Sequence, residues 1–128
     1  MSSTPTLLDA SAVLALLGNE KGSDRVRELG RGSFISAVNL AEVIQKLTDR
    51  GVPIAAARAA VAGLQFQVVP FSAEEAYHTA DFVRKGISLG DRACLATAQM
   101  HGYRVVTADS AWVPIRRSVE VVLFRRRS

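Results

Sequence analysis

Short apolar stretches alternate along the chain with longer segments in which apolar residues return every three or four positions. The stretches at 6–8, 33–36, 66–70, 103–107 and 119–124 are candidate strands, the last three largely apolar or β-branched, as strands buried on both faces are. The segments 11–17, 23–29, 38–50, 54–64, 73–85 and 92–101 carry the helical pattern. Gly18, Gly30, Gly51, Gly86 and Gly102 stand near their ends, as helix C-caps do. Ser72 and Glu75 have capping-box spacing and fix the start of the fifth helix. Strands alternating with helices of this length predict right-handed crossovers and a parallel central sheet of about five strands. The expected fold class is α/β, a three-layer α/β/α sandwich.

No repeat, low-complexity tract or linker interrupts the pattern, so residues 1–128 read as one domain, with 125–128 a frayed basic tail. The fourth helical segment, Ile54-Ala55-Ala56-Ala57-Arg58-Ala59-Ala60-Val61-Ala62, is apolar nearly all round, which predicts burial on more than one side. This helix and the one before it are the expected surface of a homodimer. A single cysteine, Cys94, excludes an intrachain disulfide and fits a reducing cytosol. Near the N-terminus the longest apolar run, 12–17, is too short for a signal peptide or membrane span. A soluble, cytoplasmic protein without membrane attachment is expected.

Four carboxylates sit at the joints of this pattern. Asp9 closes the first strand, Glu42 follows the second by one helical turn, Asp91 opens an apolar helix and Asp109 follows 103–107. Ligands of open parallel sheets bind beyond the carboxyl ends of the strands, where such residues gather. Each acid also has a structural explanation. Asp9, Asp91 and Asp109 can cap the helices that follow, and Glu42 can close a capping box opened by Asn39. On a helical wheel, however, Leu40, Val43, Ile44 and Leu47 form the apolar stripe and Glu42 lies nearly opposite.

Two carboxylates ~5 Å apart repel by roughly 3 kcal/mol at an effective dielectric of ~20. A converging set must therefore take up protons or be neutralised by a divalent cation. The all-oxygen donor set, with neither paired Cys nor clustered His, favours Mg²⁺ or Mn²⁺ over Zn²⁺. His78 and His101 read as surface or boundary residues. The chain has no Gly-x-Ser-x-Gly elbow, phosphate loop or dinucleotide fingerprint, which removes support from acyl transfer, P-loop hydrolysis and hydride transfer.

The net charge is +4, and thirteen of the sixteen basic residues are Arg, the better bidentate phosphate binder. A polyanionic partner fits this balance, although solvated helix faces explain it too. Two basic clusters, Arg116-Arg117 and Arg125-Arg126-Arg127, share that ambiguity.

Over nearly its whole length the chain resembles PIN-domain ribonucleases, above all the VapC toxins of bacterial toxin–antitoxin pairs. Leu7-Leu8-Asp9-Ala10-Ser11-Ala12 resembles the family's first motif and Ser36-Ala37-Val38-Asn39-Leu40-Ala41-Glu42-Val43 its second. Ser88-Leu89-Gly90-Asp91-Arg92-Ala93-Cys94-Leu95-Ala96 resembles the third and Val106-Thr107-Ala108-Asp109-Ser110-Ala111-Trp112 the fourth. The resemblance implies a Mg²⁺- or Mn²⁺-dependent endoribonuclease, a homodimer, and a cognate antitoxin whose C-terminal segment fills the active-site groove. It implies Asp9 and Asp91 as principal metal ligands, with Glu42 and Asp109 completing the site directly or through water. Ser11 and Thr107 match its hydroxyl positions, and Arg92 is a candidate phosphate contact.

Two other readings stand beside this one. A PIN-like module that only binds RNA or protein would use the acids as caps. A phosphatase of the haloacid dehalogenase type would need a second Asp two residues after Asp9, where this chain has Ser11.

Overall fold

Five strands form one sheet: β1 (Thr6–Leu8), β2 (Phe34–Ser36), β3 (Gln67–Val69), β4 (Arg104–Thr107) and β5 (Val121–Leu123). The computed structural model describes residues 4–30, 32–115 and 118–125. The strand order is β3-β2-β1-β4-β5 and every pairing is parallel, with Leu7 opposite both Phe34 and Val105. The chain thus builds outward from β1 to β3, then returns to lay β4 on the other side of β1. This reversal opens a crevice between the carboxyl ends of β1 and β4, the topological switch point at which open α/β sheets bind ligands.

Successive strand residues feed two different cores, as a side-chain period of two requires. Leu8 and Val106 pack with Val13, Val26, Val43 and Val61 from α1 (Ala10–Gly18), α2 (Ser23–Leu29), α3 (Ala37–Asp49) and α4 (Ile54–Ala62). Leu7 and Val105 pack with Cys94, Leu95, Phe82 and Trp112 on the opposite face. That face carries α5 (Ala73–His78), α6 (Leu89–His101) and two 3-10 helices, Thr79–Phe82 and Ser110–Ile115. The three-layer α/β/α sandwich and its parallel sheet are as the sequence pattern predicts.

Several boundaries differ from the pattern for local reasons. The first helix closes not on Gly18 but on Asn19, in the left-handed region at φ 49°, a conformation Asn tolerates. The fifth helix stops at His78 instead of running to 85. There the Thr79 hydroxyl donates to the Ala76 carbonyl at 2.6 Å, the chain tightens into a 3-10 turn, and Phe82 enters the core. The sixth helix begins three residues early, at Leu89, because Ser88 is its N-cap. The 3-10 helix that buries Trp112 has no periodic signature and contains Pro114.

The Ser72–Glu75 capping box forms as expected, and the second Glu75 oxygen accepts the Thr97 hydroxyl at 2.9 Å. Helix α4 buries only Ala57 and Val61. Ile54 is 60% exposed and lines an apolar cleft of about 450 Å³ with Leu40, Ile44, Val61 and Phe66. Arg125 donates to Glu20 at 3.0 Å and lies over the Phe124 ring. The basic residues Arg116, Arg117, Arg126 and Arg127 lie outside the described residues. No described helix is long and apolar enough to cross a membrane.

Candidate active site

Asp9 follows the last residue of β1 and holds an extended backbone, so its side chain caps α1 by accepting the Ala12 N–H at 2.9 Å. The capping oxygen, Oδ1, also accepts the Ser11 hydroxyl at 2.6 Å, and Oδ2 accepts the Thr107 hydroxyl at 2.5 Å. Both hydroxyls are acceptors in turn. Ser11 Oγ takes the Ala108 N–H and Thr107 Oγ1 takes the Asp109 N–H, each at 3.0 Å. A hydroxyl has one proton, and a backbone donor aimed at its oxygen leaves that proton for Asp9. The carboxylate is therefore tied to α1 behind it and to the last residue of β4 across the crevice.

Asp9 is only 6% exposed. Burial raises its carboxyl from the ordinary 3.8 to about 6, against the opposing hydrogen bonds from Ser11, Thr107 and Ala12, and the charge of Asp91 pushes the same way as burial. The fully buried Cys94 thiol is pushed well above its usual range, first by burial and then by the charges of Asp9, Asp91 and Glu42. The charges of three of the four acids are thus felt at one buried sulfur.

Asp91 reaches this place from the first turn of α6. It is the third residue of the helix rather than its cap. Its Oδ2 accepts the Ser88 N–H at 3.0 Å while Ser88 Oγ accepts the Asp91 N–H at 3.1 Å, a reciprocal box. Glu42 arrives from α3, whose cap is Ser36 and not Asn39. Ser36 leaves β2 with extended dihedrals and accepts the Val38 N–H, so Asn39 falls inside the helix. From there Asn39 Nδ2 donates to Glu42 Oε1 at 2.6 Å and to the Gly90 carbonyl at 3.2 Å.

Asp109 behaves differently. Its Oδ1 accepts the Ala111 N–H at 2.9 Å and caps the 3-10 helix after β4, while its backbone N–H is bound to Thr107. Arg92 is half-buried, and its Nε donates to the Ser88 carbonyl at 3.4 Å.

The sequence matches the PIN domain family over residues 6–117. The chain belongs to that family. Among curated protein sequences there is no significant match. Among solved structures, this PIN domain is similar to a toxin–antitoxin complex from Klebsiella pneumoniae, with a TM-score of 0.76 and 21% identity over 95% of this chain and 99% of that one. DNA-bound VapBC from Salmonella typhimurium gives 0.75 and 20% over 95% and 99% of the two chains. Mycobacterium tuberculosis VapC20, described as a sarcin-ricin loop cleaving toxin, gives 0.67 and 19% over 86% and 94%. At these identities the likeness establishes a shared fold.

The four acids of the PIN domain are oxygen donors, which suit a hard divalent cation. Among the described residues no three His, Cys, Asp or Glu side chains are grouped closely enough to hold one ion. Mg²⁺ does not require that, since it is commonly held by one or two carboxylates with water completing the octahedron. Asp91 is the carboxylate whose charge acts on Asp9. Asn39, read from the sequence as a helix cap, and Gly90 both lie against Glu42. Asn39 stands one helical turn before Glu42, a weak signal, whereas its contact with Gly90 spans 51 residues and is set by how α3 meets α6.

Proposed function

We propose that this PIN domain is a Mg²⁺- or Mn²⁺-dependent endoribonuclease, the toxin of a toxin–antitoxin pair. The observation that carries this reading is Asp9, a buried carboxyl raised to about 6 at the switch point, with Asp91 adding to its load. A divalent cation bound there would offset the cost of keeping the ionised Asp9 buried at neutral pH. Asp9 and Asp91 would hold the ion, with Glu42 and Asp109 completing the acidic site directly or through water. A divalent ion bound there supplies Lewis-acid activation of water and neutralises charge on a phosphodiester.

The chain's own residues do the rest. Ser11 and Thr107 each hold one Asp9 oxygen, so the carboxylate cannot rotate when substrate enters. Arg92, beside Asp91, is assigned to a substrate phosphate. The net charge of +4 favours approach of a polyanion such as RNA. An antitoxin partner is supported by the likeness to structures described as toxin–antitoxin complexes, and an RNA target by the likeness to a sarcin-ricin loop cleaving toxin. The exposed apolar face of α3 and α4 is assigned to a homodimer, and the site of action to the cytoplasm.

Incubation of purified protein with labelled total RNA and Mn²⁺ or Mg²⁺, beside a chelator control and Asp91→Asn, tests this reading. Cleavage that needs both the ion and Asp91 supports it. Absence of cleavage with either ion returns the acids to their role as caps in a binding module.

A further inference from the structure

Two residues beside Glu42 are poor choices for the fold alone. Asn39 is 2% exposed inside α3, and its Oδ1 has no hydrogen-bond partner. A buried orphan acceptor is destabilising, and an apolar side chain of similar size would avoid it. Gly90 lies in the first turn of α6 with no left-handed backbone to justify a glycine, and glycine in a helix is worse than alanine.

The same carboxylate explains both. Asn39 Nδ2 donates to Glu42 Oε1 at 2.6 Å and, across to the other helix, to the Gly90 carbonyl at 3.2 Å. A Cβ on Gly90 would overlap the Glu42 carboxylate, 2.6 Å from its Cδ and 2.8 Å from Oε1. Glu42 therefore fills the room that the missing side chain leaves, and one amide nitrogen fastens it there.

We propose that Asn39 and Gly90 form a clamp between α3 and α6 that positions the Glu42 carboxylate in the acidic crevice. Asn39 is a positioning residue that acts through Glu42, and Gly90 supplies the space. The clamp rests on the nuclease reading and deepens it, since it ties the placement of the second-motif acid to the helix that carries Asp91. Partners that orient an acid of a metal site change metal affinity or activity by about 10–100-fold when removed.

The experiment compares Asn39→Ala and Gly90→Ala, each alone and in a Glu42→Gln background. Mn²⁺ affinity of the RNA-free protein is read by electron paramagnetic resonance, and kcat and KM with an RNA that the wild type cuts. Both variants are expected to weaken Mn²⁺ binding and lower kcat by about 10–100-fold with KM little changed, and to cause almost no further loss in the Glu42→Gln background. If Gly90→Ala does not fold, Asn39→Ala decides, because it removes atoms and an orphan acceptor without adding bulk. An Asn39→Ala protein with wild-type kcat and Mn²⁺ affinity overturns the clamp alone, as does one whose loss is equally large in the Glu42→Gln background. A wild-type protein that neither takes up Mn²⁺ nor cuts RNA overturns the nuclease reading, and the positioning role falls with it.

Discussion

The Thr107 hydroxyl donates to Asp9 Oδ2 at 2.5 Å, joining residues 98 apart in sequence. Thr107 is fully buried and its oxygen also receives the Asp109 N–H, so one atom links the first and fourth motif acids. Thr107→Val keeps the shape and removes both bonds. It is expected to cost about 1–3 kcal/mol of stability, the usual penalty for stranding a buried polar partner. Denaturant unfolding measures this. Because that hydroxyl holds the Asp9 carboxyl down, the acid limb of any cleavage-against-pH profile should also move to higher pH.

Asp9 itself predicts a pH dependence of opposite sign to that of a salt-bridged carboxylate. Its folded value, about 6, lies above the ordinary 3.8, so between those values the folded state binds more proton than the unfolded state. Stability without metal therefore falls as pH rises through this window, and the full penalty, about 3 kcal/mol, is present above it. Asp9→Asn cannot ionise. Urea unfolding in chelator should show the variant gaining on the wild type from about pH 4 to about pH 7, with the difference flat on either side. A constant difference across the range would show that burial does not load this carboxyl.

Divalent ions should relieve the same load. Millimolar Mg²⁺ or Mn²⁺ is expected to raise the melting temperature, by an amount equivalent to about 2.7 kcal/mol when the ion is at 100 times its Kd. The rise should shrink towards about pH 5, where protons compete for Asp9. Differential scanning calorimetry at two pH values checks both statements. A melting temperature indifferent to the ion at neutral pH would count against the metal site.

Asp91→Asn should abolish both RNA cleavage and the metal-induced rise while leaving the fold intact. The amide oxygen can still accept the Ser88 N–H that the carboxylate now takes at 3.0 Å, but it is a weaker ligand for a hard cation. Circular dichroism and cleavage assays separate the two effects. Full activity in this variant would remove Asp91 from the chemistry.

The homodimer can be tested through Ile54, 60% exposed on α4. Light scattering of the wild type should give twice 13.8 kDa, and Ile54→Arg should halve the mass at micromolar concentration. A wild type that scatters at 13.8 kDa leaves the α3–α4 cleft to another occupant.

The sheet was legible in the chain because short apolar and β-branched runs such as Val105-Val106 alternate with helical segments, as strands buried on both faces do. The placement of Asp9 was legible for the same reason, since a strand end is marked by where the apolar run stops. What the pattern does not carry is set by contacts between distant segments or by single hydroxyls. The Thr79 side chain ends α5 early through one bond to Ala76, and no periodicity reports that. Asp91 reads as a cap because capping and the third helical position attract the same residue types, and only the Ser88 bonds distinguish them. Asn39 and Gly90 acquire meaning only once α3 and α6 are packed together.

The insertion of β1 between β2 and β4 has a consequence for synthesis of the chain. A polypeptide still emerging from the ribosome can hold Asp9, Glu42 and Asp91 before residue 104 exists, yet the Asp9 carboxylate then lacks Thr107 and one wall of its crevice. Assembly of the acidic crevice is therefore postponed until most of the protein has been translated.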